Sequence, residues 1–234
     1  MGTEKKKKTL LSIIVPMLDE AEDIARALGA IRRGTPDAEI IVVDGGSRDS
    51  SVAIAEPLCD RLIAESRGRA RQMNVGARVA RGDAFVFVHA DTLVPVSFGE
   101  DIAAALLDPA VVGGRFDVEL DSRALPYRII GVMISLRSRL SRVGTGDQAI
   151  FVRREVFERL GGFPELELCE DLEFSRRLKR GGRVACLRSR VITSARRWNR
   201  GGVARTVVRM WMIRAMYLAG VSPARLKRMY ADVR

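Results

Sequence analysis

Phe85-Val86-Phe87-Val88-His89-Ala90-Asp91-Thr92 sets four apolar, β-prone residues directly before the only histidine of the chain and an aspartate. The run reads as a buried strand that delivers two metal-ligand residue types at its carboxyl end, where an open α/β sheet presents its chemistry. A strand end with a solvated histidine and a turn aspartate is the plainer reading, and this stretch alone does not exclude it. Upstream, strand and helix patterns alternate. Leu11 to Val15 reads as a buried strand closed by Pro16. Asp19-Glu20-Ala21-Glu22 looks like a capping-box start for a helix carrying Ala21, Ile24, Ala25, Leu28 and Ile31 on one face and ending at Gly34. Ile40 to Val43 and Arg61 to Ala64 are further strands, and Ala70, Met73, Ala77 and Ala80 mark another helix. Repeated βα units of this length predict an α/β fold with a mostly parallel central sheet and helices on both faces.

Downstream the pattern changes. Val111 to Leu120 reads as a strand interrupted at Gly113-Gly114, Leu125 to Leu140 as an amphipathic basic helix, and Gln148 to Arg153 as a strand. Glu170 to Lys179 begins with acids and ends with bases, as the helix dipole favours. Val184 to Leu187 and Val191 to Thr193 read as two late strands, and Val203 to Ala219 as an apolar helix with interrupting arginines. The expected organisation is a basic arm at 1–9, a catalytic domain at 10–193 with halves 10–93 and 94–193, and a helical C-terminal tail at 194–234.

Among 234 residues, 40 lysines and arginines against 29 acids give a net charge of +11. Nucleic acid, an anionic membrane surface or a polyanionic substrate such as a nucleoside diphosphate would each answer that excess. Most of it is arginine, whose planar fork suits phosphate better than lysine does. Three widely spaced cysteines without a CxxC pair argue against a disulfide framework and for a reducing, cytoplasmic setting. The lysine run at the start has no apolar core and is not expected to be a secretory signal. No apolar run approaches the ~18–20 residues of a spanning helix.

Four further stretches carry candidate chemistry. Asp44-Gly45-Gly46-Ser47-Arg48-Asp49 follows the second strand: Asp44 is placed to accept hydrogen bonds from a ribose or base, and Ser47 to cap the next helix, although Asp and Gly are also ordinary in a βα turn. Gly68-Arg69-Ala70-Arg71 opens a helix with two cations at the wrong end of its dipole, at ~0.3–1 kcal/mol each. A bound anion would relieve that conflict, and so would side chains pointing to solvent. Cys169-Glu170-Asp171-Leu172-Glu173 is either an ordinary acidic first turn or a general base on a rigid element. Arg196-Arg197-Trp198 places a Trp that would stack on a sugar or simply anchor the tail.

Taken together these stretches resemble the family 2 inverting glycosyltransferases of GT-A fold. Ile13-Ile14-Val15-Pro16-Met17-Leu18-Asp19-Glu20 resembles the family's opening "SIIIPTYNE", and Ile41-Val42-Val43-Asp44-Gly45-Gly46-Ser47-Arg48-Asp49 its "VVDDGSTD", with Gly45 for the second Asp. Gly68 to Gly76 is similar to "GKAxALNxG", and His89-Ala90-Asp91 stands at the DxD motif. Glu170-Asp171 matches the "ED" pair, and Ser194-Ala195-Arg196-Arg197-Trp198 resembles "QxxRW", with Ser194 for Gln. The six fall in one consistent order over roughly residues 10 to 200. His89, Gly146-Asp147-Gln148 and the Arg-Arg-Trp-Asn run look most like a bacterial subgroup found beside radical-SAM and selenium-domain proteins and linked to arsenosugar synthesis.

The resemblance implies transfer of a sugar from a nucleoside-diphosphate sugar, with UDP the expected carrier, to an acceptor hydroxyl with inversion. Asp171 would be the base. Pro16, Glu20, Asp44, Ser47, Arg69, Arg71 and Asp91 would meet the donor. Asp147, Gln148, Glu170, Arg197 and Trp198 would meet the acceptor. Asp91, with His89, would hold a divalent metal, Mg or Mn; an imidazole suits Mn²⁺ better than Mg²⁺. The acceptor is left open among a small metabolite, a lipid-linked molecule and a glycan. No nucleic-acid partner is implied. A homo-oligomer contact and peripheral association with the inner face of a membrane are both compatible with the C-terminal helix. The alternative reading is a catalytically inactive module of the same fold that binds nucleotide or membrane.

Overall fold

Leu11, Ile13, Val15 and Met17 are buried on one side of a strand and Ile14 on the other, so this segment is an inner strand covered on both faces. In the computed structural model it is β1 (Leu11–Met17). The structure describes residues 9–231 apart from the side chains of Arg197, Arg200, Tyr230 and Ala231; nearly all of the expected basic arm lies outside it. β2 (Glu39–Asp44) and β4 (Ala84–Phe87) flank β1 in parallel, and β3 (Arg61–Ala64) extends the parallel set beyond β2. The sheet continues through β5 (Thr92–Leu93), β6 (Val111–Leu120), β7 (Ile150–Arg153) and β8 (Arg183–Thr193), in the order β3-β2-β1-β4-β7-β6-β8-β5. β7 runs antiparallel between β4 and β6, while β6 and β8 are parallel. The α/β fold is therefore as expected, with a sheet that is parallel in its first half and mixed in its second.

Two apolar layers cover it. α1 (Ile24–Gly34), α2 (Ser51–Ala55) and α4 (Phe98–Leu106) pack Ile24, Leu28, Ile31, Ala55, Phe98 and Ile102 against one face. α3 (Arg69–Val79), α6 (Arg154–Arg159) and α7 (Glu170–Gly181) pack Met73, Val156, Phe157, Phe174 and Leu178 against the other. Each such aliphatic or aromatic side chain contributes about 1.5–3 kcal/mol on full burial. Within the second layer Phe163 touches both Phe87 of β4, at a ring-centroid distance of 4.7 Å, and Phe174 of α7, stacked at 4.2 Å. This aromatic chain fixes the start of α7 relative to the end of β4.

α5 (Leu125–Ser141) lies against β6. Buried Arg115 of β6 reaches Asp117 at 2.5 Å and the Ser135 carbonyl at 3.3 Å, and Arg139 of α5 closes the set on Asp117 at 2.6 Å. The tail consists of α8 (Arg196–Gly201), α9 (Val203–Leu218) and α10 (Pro223–Ala231). Among the described residues, no helix is long and apolar enough to cross a membrane.

Local expectations differ from the structure at four places. Gly113-Gly114 does not interrupt β6. A β-carbon on Gly114 would sit 2.5 Å from the Ala185 carbonyl oxygen and from the Phe151 ring, so glycine there lets neighbouring strands close up. α1 starts at Ile24 without a side-chain cap. Asp19, at φ 53°, turns instead to the loop after β2: its carboxylate accepts the Arg48 N–H at 2.7 Å, and its own N–H donates to Ser47 Oγ at 2.9 Å. Ser47 does not cap α2, because its hydroxyl donates to Asp44 at 2.5 Å. The two late strands are one: the register with β6 shifts between Cys186 and Arg190, so β8 bulges there without ending, and both Arg188 and Arg190 turn to solvent.

Gly114→Ala should therefore lower the unfolding free energy in urea by about 1–3 kcal/mol through overpacking. Gly29→Ala, whose β-carbon would meet nothing nearer than the Arg33 guanidinium at 3.4 Å, should instead stabilise α1 by up to ~1 kcal/mol.

Candidate active site

The carboxyl ends of β1, β2 and β4 open toward one edge, and the candidate residues divide there. Pro16 remains within β1, opposite Val43. Asp44 is buried, and its carboxylate accepts the N–H groups of Gly46 and Ser47 at 3.0 and 3.1 Å as well as the Ser47 hydroxyl, so these two residues order the loop after β2. The Glu20 N–H donates to Ser51 Oγ at 2.7 Å, and its carboxylate pairs with Arg196. Burial raises the Glu20 carboxyl above its ordinary range, against the pull of Arg196.

A cavity of about 250 Å³ lies beside these strand ends. His89 and Asp91 enter it from the end of β4, Gly146 and Asp147 from a short 3₁₀ turn, Glu170 and Asp171 from the first turn of α7, and Arg69 from the first turn of α3. The Asp171 carboxylate is held at both oxygens: Oδ2 accepts the Gly146 N–H at 2.6 Å and Oδ1 the Leu172 N–H at 2.6 Å. Gly146 has no room for a side chain, because a β-carbon would run into the His89 imidazole. One glycine thus separates the end of β4 from the acid of α7. Cys169, at φ 67°, takes the left-handed turn before α7, a strained backbone of the kind that gathers at functional sites.

Charge in the cavity is compensated by arginine. Glu170, 4% exposed, pairs with Arg69 at 3.4 Å. Burial first, and then Asp171, push its carboxyl up, while Arg69 pulls it down. The Cys169 thiol is raised to about 12 by burial and by Asp171 and Glu170. Arg196 lies 3.0 Å from Asp23 and 3.9 Å from Asp91 in addition to its contact with Glu20. Burial alone would make this guanidinium a weaker base, but its carboxylates outweigh that and raise it.

Several candidates fall elsewhere. Arg71 pairs with Glu65 at 3.1 Å and does not line the cavity, although its neighbour Arg69 does. Gln148 does not face an acceptor. It is fully buried, accepts the Thr145 N–H at 3.2 Å and donates to the Phe116 carbonyl at 3.1 Å and Ser138 Oγ at 2.9 Å. Trp198 lines the cavity and packs on Leu120, Ile130 and Ala195. The side chain of Arg197 lies outside the described residues.

Sequence reasoning missed Arg196, the neighbour of the arginine it chose, and missed the opposite wall. There Met133, Ile134 and Arg137 of α5 face Met210, Trp211 and Arg214 of α9. The available signal was that neither helix contains an acidic residue to pair with its arginines.

For a divalent ion, His89 and Asp91 are the available pair. Among the described residues no group of three or more His, Cys, Asp or Glu could hold a metal. An ion here would draw further ligands from substrate phosphates and water, as hard divalent cations commonly do. One imidazole with one carboxylate fits Mn²⁺ better than Mg²⁺.

Known proteins resemble the chain in sequence and in fold. A PGL/p-HBAD biosynthesis glycosyltransferase from Mycobacterium bovis is 30% identical over 162 residues, which is 66% of this chain and 63% of the relative. The chain thus spans a little under two thirds of the length of this relative. The uncharacterized glycosyltransferase YfnE of Bacillus subtilis is 33% identical over 90 residues, 35% of this chain and 23% of that protein. Mannosyltransferase PcManGT from Pyrobaculum calidifontis, solved in complex with GDP-Man and Mn²⁺, superposes with a TM-score of 0.65 at 25% identity, covering 90% of this chain and 61% of its own. S. aureus TarS 1-349 in complex with UDP-GlcNAc, at 22% identity and a TM-score of 0.63 over 80% of this chain and 59% of its own, shares the fold. Residues 12–161, from β1 past α6 and including Asp44, His89 and Asp91, match the family described as Glycosyl transferase family 2. With well over half of its length in that match and its strand ends arranged around one acidic cavity, the chain belongs to glycosyltransferase family 2.

Proposed function

We propose that the chain transfers a sugar from a nucleoside-diphosphate sugar to an acceptor hydroxyl with inversion, and that Asp171 is the general base. The observation that carries this reading is the Asp171 carboxylate, held by two backbone N–H groups in the cavity that His89 and Asp91 also line. Each oxygen accepts one N–H and keeps a lone pair for a further hydrogen bond. Asp171 takes the acceptor proton as the acceptor oxygen attacks the anomeric carbon. The bond from that carbon to the diphosphate breaks on the opposite face, and its electron pair leaves with the nucleotide. Arg69 stands at the α3 N-terminus, where helix dipole and guanidinium both favour the anionic diphosphate. A divalent ion held by Asp91, with His89, would supply charge neutralisation to the departing diphosphate.

PcManGT with GDP-Man and Mn²⁺ and TarS with UDP-GlcNAc support the donor class and the metal. UDP is kept as the carrier to test first. Asp147, Glu170, Arg197 and Trp198 are assigned to the acceptor side. The subgroup linked to arsenosugar synthesis, a cytoplasmic setting and peripheral membrane contact belong to the same reading and rest on the sequence.

Asp171→Asn should cut transfer by about 10²–10⁴-fold while calorimetry finds donor binding unchanged. Normal turnover by that variant removes Asp171 as the base. Thermal shift with UDP-GlcNAc and GDP-mannose, with and without Mn²⁺, should show a stabilisation that depends on metal and disappears in Asp91→Ala. A metal-independent shift would remove the ion from the reading.

The raised Glu170 carboxyl has its own signature. Between its ordinary and its folded range the native state holds the extra proton, so stability falls as pH rises through that window. The melting temperature of Glu170→Gln relative to the parent should therefore increase as pH is raised above ~4.5.

A further inference from the structure

Two arginines of the cavity stand apart from its ion pairs. Arg137 of α5 and Arg214 of α9 line it from opposite helices, and among the described residues neither belongs to an ion pair. Arg137 donates one hydrogen bond, to Thr145 Oγ1 at 3.2 Å, and its Nε is buried without a partner. Burial weakens both guanidiniums as bases, and Arg137 adds like-charge repulsion to Arg214. The acids that face them act from a distance: Asp147 and Asp171 on Arg137, and Asp171, with the Cys169 thiol, on Arg214. Asp171 acts on both without an ion pair to either, so holding two partly buried guanidiniums in one cavity is costly, and a bound anion lowers that cost. Around them the wall is apolar. Met133 and Trp211 are about half exposed, so it runs out to the cavity mouth, with Ile134 and Met210 behind them.

We infer that the α5–α9 side of the cavity binds an acceptor bearing an anionic group on an apolar chain, with Arg137 and Arg214 holding the anion. This rests on reading the α5–α9 wall as the acceptor side. The apolar chain lies along Met133, Met210 and Trp211, and the anchored acceptor turns its hydroxyl toward Asp171. A phosphate or a carboxylate would serve as the head group, since both accept the forked guanidinium.

The two tryptophans of the chain, Trp198 and Trp211, both line this cavity, so intrinsic fluorescence reads binding there without donor or turnover. The full chain is titrated with decyl phosphate below its micelle concentration, and with decanoate, decanol and inorganic phosphate. Decyl phosphate should saturate at a concentration roughly tenfold or more below decanol and inorganic phosphate. Equal binding of decanoate supports the same site with a carboxylate head group. Arg137→Gln and Arg214→Gln should each weaken decyl phosphate by roughly tenfold or more, and Arg205→Gln, exposed on α9 and off the cavity, should not. Arg137→Lys and Arg214→Lys keep the charge without the fork and should fall between; they also read the site if a Gln variant fails to fold. Decyl phosphate binding no better than decanol overturns the inference. So does displacement by UDP together with loss of UDP affinity in both Gln variants, which would place the arginines at the donor diphosphate. Because no donor is needed, failure to find any sugar transfer leaves this result interpretable.

Discussion

Apolar layers seal both faces of β1, β2 and β4, and polar side chains that must reach a ligand can leave these strands only at their ends. Parallel pairing then brings those ends to a common edge. Asp19-Glu20, Asp44 and His89-Asp91 follow three strands separated in sequence by helices, yet they emerge together because the strands run in one direction. Two buried hydrogen bonds from Gln72 Nε2, to the Met17 and Val43 carbonyls at 2.9 and 2.8 Å, secure the point where β1 and β2 end.

Gathering acids at one edge creates an electrostatic problem, and arginine answers it. An ion removed from water costs several kcal/mol unless it is paired. Glu170 meets Arg69 from α3, and the Glu20, Asp23 and Asp91 group meets Arg196 from the tail. The +11 charge of the chain therefore has a local meaning: part of it is spread through the acidic site, and two further arginines, Arg137 and Arg214, line the same cavity. Asp171 is stabilised differently, by backbone N–H groups, which leaves its carboxylate open to the cavity.

The second half of the chain supplies position as well as chemistry. Phe163 couples the end of β4 to the start of α7, and the bare α-carbon of Gly146 fits between His89 and Asp171. Trp198 anchors the tail on Leu120 and Ile130, and α9 becomes the far wall of the cavity. A C-terminal segment that reads as an appendage is thus part of the site.

The sequence by itself determined the parallel half of the fold, since runs such as Phe85 to Val88 have no stable place except a covered strand, and the family resemblance singled out Asp91, Asp171 and Trp198, which line one cavity. Tertiary structure alone decided which of neighbouring side chains reach the cavity. Arg69 enters and Arg71 turns to Glu65, because residues two apart on a helix face different directions. Gln148 points inward, since the 3₁₀ turn needs its amide for Thr145 and Phe116. Arg188-Ser189-Arg190 reads as a break in the sequence and is a bulge within one strand in the fold, because pairing with β6 on either side, at Cys186 and from Arg190 onward, carries the strand through it. Arg137 and Arg214 lie far apart in the chain, and only the packing of α5 across from α9 makes them a pair; no spacing rule reaches across that distance, because the juxtaposition is set by packing and charge compensation.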